Sequence, residues 1–389
     1  MKDLKPRCIM MVAGEASGDL HGSALAVALF KKDPSLQIMG IGGSAMKQAG
    51  VDIRFDSALL GIVGIVEVIG RMRVLWKAYQ IARAAILTKA DLLVLIDFPD
   101  FNLLLAKIAR KKGIPVIYYI GPQLWAWRKD RITIMAQRVD KALVIFPFEK
   151  KVYEDAAIPC EFVGHPLLDE ATPFLETAFS KPEYLQSKGL SPLSVTIGLL
   201  PGSRVSEIKR HLPVMLDGVK RLAADRPPFQ ILIPVASTIS IDLIRKMTRA
   251  FPLPIRPVTG EIYSVLRACD AVVIASGTAT LQAALTQTPM VMIYKLSAIS
   301  YLIARLFLRI RLVGLVNIVA QADLVPELIQ GQATPDCIAA EMKRLLTDTV
   351  LMQKMRTHLK TVAQALGQAG ASDRAADIIY NDFIREAVP

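Results

Sequence analysis

The chain has 389 residues, of which 52% are hydrophobic and 21% charged, and its formal net charge is +12. This length suits two globular domains, and the composition is that of a globular protein rich in apolar residues. The positive charge is compatible with nucleic acid, a membrane surface or small anionic substrates, or with no more than a solvated basic surface. An aromatic content of only 6% and the lack of a dense basic tail argue against nucleic acid.

Cysteines, histidines and the first residues indicate the compartment. The four cysteines lie far apart and form no C-x-x-C pair, which is typical of buried thiols in a reducing compartment. The four histidines are equally scattered, so their spacing predicts no metal site. The N-terminus lacks the apolar segment of a signal peptide, and no uncharged apolar run approaches the ~20 residues that cross a bilayer. We therefore expect a cytoplasmic protein without a cofactor.

The first 165 residues alternate between strand-like and helix-like segments, which predicts a doubly wound parallel sheet. Leu92–Ile96, for example, is a continuous apolar run, as expected of a parallel strand covered on both faces. The predicted strands are Ile9–Val12, Gln37–Ile41, Leu92–Ile96, Val116–Ile120, Ala142–Phe146 and Cys160–Val163. The predicted helices are Gly22–Lys32 and Phe101–Lys112.

Asp169–Leu193 is richer in Pro, Ser and Glu, has little periodicity, and is predicted to be a linker. Beyond it the alternation restarts, which predicts a second Rossmann-like unit. Its strands are predicted at Val195–Leu199, Phe229–Pro234, Pro254–Val258, Ala271–Ala275 and Pro289–Ile293, and its helices at Pro213–Arg226, Ser240–Phe251, Glu261–Ala268 and Thr278–Leu285. We place the N-terminal domain at residues 1–170 and the C-terminal domain at residues 171–389, whose terminal helices could pack back on the N-terminal domain.

Two glycine-bearing loops, Ala13–Asp19 and Leu200–Arg204, each follow a predicted strand. A loop of this kind that feeds a helix leaves backbone N–H groups free, and these favour an anion. Neither loop matches the dinucleotide fingerprint or the Walker A motif, and either one alone is equally compatible with a tight corner that binds nothing. Together they favour two α/β domains that face a cleft and hold a nucleotide-activated substrate.

Eight motifs carry a specific resemblance. They are Ala13–Asp19 (AGEASGD), Gly61–Gly70 (GIVGIVEVIG), Ile96–Asn102 (IDFPDFN), Gly121–Arg128 (GPQLWAWR), Phe146–Lys150 (FPFEK), Val163–Pro166 (VGHP), Leu200–Arg204 (LPGSR) and Ala275–Leu281 (ASGTATL). In this order and spacing they resemble lipid-A-disaccharide synthase, a family of the glycosyltransferase type B architecture. The resemblance covers nearly the whole chain.

The resemblance implies transfer of a sugar from UDP-2,3-diacylglucosamine to the 6-hydroxyl of 2,3-diacylglucosamine 1-phosphate. The products would be a β-1,6-linked disaccharide phosphate and UDP, with inversion at the anomeric carbon, for which one carboxylate acting as general base is enough. The essential Asp of the family matches Asp97, whose alternative role is to cap the helix that begins near Pro99. Asp100 is the competing catalytic candidate, and Asn102 is expected to orient one of the two.

The sequence contains no D-x-D triplet, so cations and helix N-termini, rather than a metal, are expected to stabilise the diphosphate. Arg204 matches the family's residue for the phosphates, and Asn317 matches a residue needed on the nucleotide side. The residues expected to bind substrate or UDP are Glu15, Ser17, Gly18, Asn102, Gly202, Ser203, Arg204, Ser276, Gly277, Thr278, Gln282 and Asn317.

Gln282 stands where the family has Glu. An amide offers one acceptor oxygen where a carboxylate offers two, so Gln282 is expected to hold the ribose less tightly than Glu, by about 1 kcal/mol. Its alternative is to face the core while another residue holds the ribose. The other departures from the family are Gly121, Val316, Gln321 and Ala322.

Two apolar-basic segments fit a lipid substrate. In the first, Ile62, Val66 and Ile69 recur near helical spacing beside Arg71 and Arg73, and the second covers residues 299–316. A basic amphipathic surface can lie on anionic lipid and admit acyl chains, although each stretch is equally compatible with a core-facing helix. The expected partners are the two acylated glucosamine substrates and the inner face of the inner membrane, with no nucleic acid. A homodimer is left open.

The sequence alone leaves two alternative functions open. One is another two-Rossmann UDP-sugar enzyme, such as a murein-precursor N-acetylglucosaminyltransferase or a UDP-N-acetylglucosamine 2-epimerase. The other is a catalytically silent relative that binds UDP or lipid. Turnover of a UDP-diacylglucosamine donor separates all three.

Overall fold

A computed structural model of the chain describes residues 7–60, 68–122, 130–224, 229–296 and 312–385. The chain divides into two compact units. Unit 1 comprises Met1–Asp169 together with Leu366–Pro389, and unit 2 comprises Glu170–Ala365. Each unit contains one parallel sheet, so the two-sheet α/β fold predicted from the sequence is confirmed.

The sheet of unit 1 has seven strands in the order β3-β2-β1-β4-β5-β6-β7, all parallel. Every residue of the two central strands, β1 and β4, is buried, which explains their unbroken apolar sequences. The strand order reverses between β1 and β4, and ligands of such sheets bind beyond the carboxyl ends of the strands at this point. The strands are β1 Cys8–Ala13, β2 Gln37–Gly42, β3 Asp52–Asp56, β4 Leu92–Ile96, β5 Val116–Tyr119, β6 Lys141–Val144 and β7 Cys160–Phe162.

The sheet of unit 2 has six parallel strands in the order β10-β9-β8-β11-β12-β13, and its order reverses between β8 and β11. The central strands β8 and β11 are again buried along their whole length. The strands are β8 Thr196–Leu200, β9 Gln230–Val235, β10 Ile255–Thr259, β11 Ala271–Ala275, β12 Met290–Tyr294 and β13 Glu327–Ile329.

Helices connect the strands in both units. They are α1 Ala16–Lys32, α2 Ser44–Gln48, α3 Val68–Thr88, α4 Pro99–Lys112, α5 Asp130–Arg138, α6 Pro147–Glu154, α7 Leu167–Glu176, α8 Lys181–Ser187, α9 Val205–Ala224, α10 Ile241–Thr248, α11 Ile262–Ala268, α12 Ala279–Leu285, α13 Leu315–Ala320, α14 Pro335–Thr347, α15 Thr349–Ala365 and α16 Ala371–Ile379. No helix within the described ranges is both long and apolar enough to span a bilayer.

The last helix, α16, belongs to unit 1 although it follows unit 2 in the chain. Its inner face is fully buried at Ala375, Ala376 and Ile379. Backbone and side-chain bonds hold this segment in unit 1, since His165 N–H donates to the Leu366 carbonyl at 2.9 Å and Arg374 Nε donates to the Val163 carbonyl at 2.8 Å. Unit 1 is therefore assembled from two separate stretches of sequence.

The edge strands β3 and β13 were not predicted from the sequence, and three predicted segments differ in the structure. The expected linker Asp169–Leu193 is largely helical, because α7 and α8 occupy it and the Ser180 hydroxyl accepts the Glu183 N–H at the start of α8. Helix α9 begins eight residues before Pro213, which lies inside it rather than at its start. Helix α1 begins at Ala16, so Ser17 and Gly18 are helical residues and not loop residues.

Candidate functional site

Asp97 directly follows β4, at the carboxyl edge where the strand order of unit 1 reverses. The neighbouring strand β1 ends there too, and its loop contributes Gly14. A Cβ atom at Gly14 would lie 2.3 Å from Phe98 Cγ, which is far closer than carbon atoms approach. Glycine in the first loop therefore makes room for the Phe98 ring, beside the candidate base.

Asp97 and Phe98 are two consecutive non-glycine residues with left-handed backbone, each at φ 48°. This conformation costs about 1–3 kcal/mol per residue and persists only where neighbours impose it. Here the Asp97 carbonyl accepts hydrogen bonds from the Tyr118 hydroxyl at 2.7 Å and from Asn102 Nδ2 at 2.6 Å. Asn102 Nδ2 also donates to the Ile96 carbonyl at 3.2 Å. Two buried side chains thus hold the strained backbone that aims Asp97.

Burial raises the pKa of the half-buried Asp97 carboxyl, and the nearby Glu15 carboxylate raises it further, while the Phe98 N–H donates to the carboxylate and opposes both effects. Glu15 is exposed and immediately precedes α1. A carboxylate with a raised pKa is a stronger base towards a hydroxyl group. The electrostatic setting of Asp97 is thus suited to proton abstraction.

Asp100 has a different environment. It lies in the first turn of α4, its side chain is 78% exposed, and it forms an ion pair with Arg131. A carboxylate in this place interacts favourably with the helix N-terminus. Of the two candidate carboxylates, Asp97 is the one at the strand end and Asp100 the one on the helix surface.

Asn102 was expected to contact substrate and to orient Asp97 or Asp100, and the structure places it behind Asp97. The residue is fully buried, and its amide nitrogen bonds backbone carbonyls rather than a carboxylate. Its Oδ1 atom has no hydrogen-bond partner among the described residues. Asn102 therefore positions Asp97 through the backbone.

The first loop is shaped by Asp19, which sequence analysis did not single out. The buried Asp19 carboxylate accepts the backbone N–H groups of Gly43, Ala45 and Met46 at 2.6, 2.9 and 3.1 Å. It thereby ties α1 to the start of α2. Ser17 is exposed in the first turn of α1, whereas Gly18 is buried, so only the Ser17 side chain is available to a ligand.

In unit 2, the second loop closes around Glu207. Gly202 adopts φ 117°, and a Cβ there would lie 2.4 Å from Glu207 Oε2. That oxygen accepts the N–H groups of Ser203 at 3.0 Å and Arg204 at 3.3 Å. The expectation that these two N–H groups are free for an anion is therefore wrong. The Arg204 guanidinium is 72% exposed and touches Glu207 only at 3.5 Å, so it is the group that can meet a phosphate.

The buried His211 holds the same loop in place through hydrogen bonds, and sequence analysis did not identify it. Its Nδ1 donates to the Pro201 carbonyl at 2.8 Å, and its Nε2 accepts the Lys295 N–H at 3.1 Å. Nε2 also lies 3.3 Å from the Lys295 carbonyl. Burial lowers the pKa of His211, while the hydrogen bonds to the Pro201 and Lys295 backbone oppose this shift. The buried imidazole thus fixes the second loop to the end of β12.

The loop Ser276-Gly277-Thr278 leads from β11 into α12. Ser276 N–H donates to the Ile293 carbonyl at 3.0 Å, and its hydroxyl donates to the Val313 carbonyl at 3.2 Å. The space beside Gly277 is open. Within the part of the chain that the structure describes, the N–H groups of Gly277 and Thr278 have no acceptor. These two N–H groups are therefore free to bind an anion in unit 2.

Gln282 is half-buried on α12 and belongs to a polar cluster. Its Nε2 lies 3.5 Å from the Tyr263 hydroxyl. The Tyr263 and Gln282 side chains also form hydrogen bonds with the Glu170 carboxyl. Partial burial raises the pKa of Glu170, and these hydrogen bonds oppose the shift without cancelling it. Phe174 stacks on the Tyr263 ring with centroids 5.3 Å apart. A carboxylate therefore lies beside Gln282 after all, supplied by α7.

Asn317, which was expected on the nucleotide side, makes hydrogen bonds within unit 2. The residue is fully buried, and its Nδ2 donates to the Val325 carbonyl at 2.9 Å and to Glu327 Oε1 at 2.8 Å. Its Oδ1 accepts the N–H groups of Leu324 and Val325, both at 3.0 Å. All four hydrogen bonds of the amide are used internally. Asn317 fixes the loop before β13.

Most of the predicted lipid surface falls outside the described residues. Ile62 and Val66 lie there, as do residues 297–311, and so do the side chains of Ile69 and Arg71. Arg73 is exposed on α3. The same helix exposes two large apolar side chains, Met72 at 64% and Trp76 at 62%. The described part of α3 therefore presents both charge and apolar surface to solvent.

Comparison with solved structures agrees with this fold. MurG of Acinetobacter baumannii has a TM-score of 0.60 at 16% identity, with 97% of this chain and 100% of that chain covered. UDP-GlcNAc 2-epimerase from Neisseria meningitidis, solved with UDP-GlcNAc bound, has a TM-score of 0.62 at 12% identity, with 96% and 100% covered. At such identities the likeness shows the fold alone, which is the type B glycosyltransferase architecture.

Sequence comparison is far more specific. The chain is 43% identical over 372 residues to a lipid-A-disaccharide synthase of Geobacter sulfurreducens, with 95% of this chain and 96% of that protein covered. It is 44% identical over 375 residues to the one of Syntrophus aciditrophicus, with 96% and 97% covered. The family description of lipid-A-disaccharide synthetase matches residues 9–379. The chain therefore belongs to the lipid-A-disaccharide synthetase family of glycosyltransferases.

Proposed function

We propose that this chain joins UDP-2,3-diacylglucosamine to 2,3-diacylglucosamine 1-phosphate, releasing UDP and the β-1,6-linked disaccharide phosphate. The observation that carries the proposal is the setting of Asp97. It combines a raised pKa with a strained backbone that two buried side chains hold at the switch point of the sheet. Family membership supplies the substrate class.

In this proposal Asp97 removes the proton from the 6-hydroxyl of the acceptor. The hydroxyl oxygen then bonds to the anomeric carbon of the donor while the bond from that carbon to the diphosphate oxygen breaks. The electron pair leaves with UDP, and the single displacement inverts the anomeric centre. A neighbouring acidic group such as Glu15 favours the protonated form of Asp97, which makes it a better proton acceptor during the transfer.

The nucleotide side of the proposal rests on Arg204 and the free N–H groups of Gly277 and Thr278. The leaving diphosphate gains negative charge as the bond breaks, so an exposed guanidinium and unpaired N–H groups stabilise the transition state more than the ground state. Gln282 is proposed to meet the ribose together with Glu170.

We also place the protein on the inner face of the inner membrane as a peripheral protein. The support is the surface of α3, where Met72 and Trp76 are exposed next to Arg73. Basic charge beside exposed apolar side chains favours an anionic lipid surface, which is where acylated substrates reside.

The test of the proposed function is UDP release by Asp97→Asn. Since the amide keeps the size of the side chain but cannot take the proton, we expect kcat to fall by about 10²-fold or more, with UDP binding nearly unchanged. Asp100→Asn is the matched control, because it removes an exposed carboxylate three residues away, and we expect it to retain most of its activity.

Donors with and without acyl chains complete the experiment. Release of UDP from the acylated donor and transfer to the acceptor are expected, whereas an epimerase would act on an unacylated UDP-sugar with no acceptor. Near-normal kcat in Asp97→Asn would show that the base is another residue, and a correctly folded wild-type chain without turnover of the acylated donor would contradict the proposed function.

A further inference from the structure

A groove of about 460 Å³ lies on unit 1 between α3 and α4. Its walls follow from helical spacing. Tyr79, Arg83 and Leu87 lie four residues apart on α3, and Leu104 and Lys111 lie seven apart on α4, so each set occupies one helix face. The groove lies along the later turns of α4, whereas Asp97 precedes its first turn. It is thus a surface that the proposed reaction does not use.

The charge of the groove is uniformly positive. Arg83, Lys107, Lys111 and Lys112 line it, and all four are exposed. No carboxylate among the described residues forms an ion pair with any of them, whereas the neighbouring Arg110, which is not in the lining, pairs with Asp140. Helix α3 contains no acidic residue at all. Among the described residues, none of the four cations that line this groove therefore has a carboxylate partner.

Helix stability does not explain the charge. Cations in the last turn of a helix interact favourably with its dipole, and Lys111 and Lys112 are in that position on α4. Lys107 lies in the helix interior, and Arg83 belongs to the other helix, more than one turn before its end. Four cations from two helices converge on one groove, which indicates an anionic ligand.

The groove also has apolar walls. Leu104 is 52% exposed, and Leu87 and Ile108 line the same space. Tyr79, at one end of the groove, stacks on Trp76 with ring centroids 5.6 Å apart. This contact connects the groove to the exposed apolar side chains of Trp76 and Met72 along the same helix. A soluble anion would contact only the cations of the groove. An anion with an attached hydrocarbon chain would contact the cations and the apolar walls.

We propose that the groove between α3 and α4 binds the phosphate headgroup of an anionic membrane phospholipid. Arg83 and the lysines contact the phosphate, while Leu87, Leu104 and Ile108 contact the glycerol and the first acyl carbons. The charge complementarity and the continuous apolar stripe favour this occupant over single-stranded nucleic acid, which binds through several stacking aromatic side chains. The inference rests on the proposed peripheral membrane association and gives it a specific site.

The test uses the full chain and lipid vesicles. The groove variant carries Arg83→Gln, Lys107→Gln, Lys111→Gln and Lys112→Gln, and the matched control carries Lys220→Gln, Lys246→Gln, Arg249→Gln and Lys360→Gln, all exposed residues of unit 2. Both change the formal net charge from +12 to +8 (12 − 4). Co-sedimentation is measured with phosphatidylcholine vesicles, with and without phosphatidylglycerol, and melting curves verify folding.

We expect the groove variant to lose at least about tenfold in affinity for phosphatidylglycerol vesicles, since one cation near an anionic membrane contributes about fivefold. The control should lose much less. A third variant, with Arg83→Lys and the three lysines changed to Arg, should bind like the wild type. Inorganic phosphate at matched ionic strength should not displace the vesicles, since it lacks the hydrocarbon.

Several results would overturn the inference. Equal losses in the two Gln variants would assign the effect to net charge, and displacement by inorganic phosphate would assign the groove to a soluble anion. A groove variant that loses binding to single-stranded RNA but not to vesicles would assign it to nucleic acid. If the wild-type chain binds no vesicle, the proposed membrane association fails as well, whereas UDP release from detergent-dispersed substrate tests the proposed reaction separately.

Discussion

Asp97 and Phe98 have a strained left-handed backbone, and hydrogen bonds from neighbouring side chains stabilise it. A left-handed aspartate without local support would relax to a conformation that turns its side chain away. Tyr118 and Asn102 prevent this because both donate to the one carbonyl of Asp97. We infer that their contribution to catalysis acts through the geometry of Asp97 and not through contact with substrate.

Removal of one donor tests this. Tyr118→Phe keeps the buried ring but deletes a hydrogen bond worth about 1 kcal/mol, so we expect a several-fold lower kcat with an unchanged KM for the donor. Tyr119→Phe is the control, because adjacent strand residues point to opposite faces of the sheet. Steady-state kinetics of both variants provide the measurement, and equal effects in the two would mean that packing alone matters.

Arg204 is the cation proposed for the diphosphate. Arg204→Ala should raise the donor KM and also lower kcat, because the guanidinium acts on a charge that grows as the bond breaks. Lys209→Ala removes an exposed cation of α9, the helix that follows Arg204, and should change neither constant much. Donor kinetics that stay at the wild-type level in Arg204→Ala would remove this residue from the site.

At the scale of elements, the group around Gln282 joins three helices of unit 2. Glu170 comes from α7, Tyr263 from α11 and Gln282 from α12. Position 282 has no carboxylate, and Glu170 of α7 supplies one beside it. A carboxylate at both places would repel its neighbour, and the raised pKa of Glu170 indicates that the pocket already disfavours one charge.

This predicts a non-additive pair of substitutions. In Gln282→Glu alone, the gain in ribose binding is opposed by repulsion from Glu170. In the double variant Gln282→Glu with Glu170→Gln, we expect UDP to bind about fivefold more tightly than to wild type, an effect of about 1 kcal/mol. Titration calorimetry measures both, and unchanged affinity in the double variant would show that Gln282 does not meet the ribose.

Sequence analysis located the central strands of both sheets, because buried parallel strands are continuous apolar runs, but it did not predict the edge strands β3 and β13. It could not tell where a polar side chain points. Asn102 and Asn317 share the chemistry of ligand-binding amides, yet both are buried and bond their own backbone. Asp19 and His211 stabilise loops through partners more than twenty and eighty residues away, which spacing cannot reveal.

At the scale of the whole molecule, unit 1 carries one buried histidine, His165, and one partly buried histidine, His21. Burial lowers the pKa of His21 to about 4 and that of His165 to about 3, and the Asp169 carboxylate opposes the shift at His21. His165 Nδ1 accepts the Leu167 N–H at 3.1 Å, so the folded state requires a neutral ring. The unfolded chain binds a proton at each of these positions below about pH 6.5.

The folded state is therefore destabilised as the pH falls from about 6.5 towards 4, since the unfolded state binds more protons there. The loss is at most about 1.4 kcal/mol per pH unit for each histidine. We expect the double variant His21→Gln with His165→Gln to lose less stability between pH 7 and pH 5 than wild type, in denaturant titrations. His358→Gln is the control in unit 2, and a parallel pH dependence in all three proteins would contradict the assignment.

The assembly of unit 1 from two stretches of sequence has a consequence for synthesis. Unit 1 lacks α16 until the last residues of the chain have been synthesised and have left the ribosome. Until that helix arrives, the surface that will bury Ala375, Ala376 and Ile379 is open to water. Premature termination near the end of the message therefore harms the domain that is encoded at its beginning.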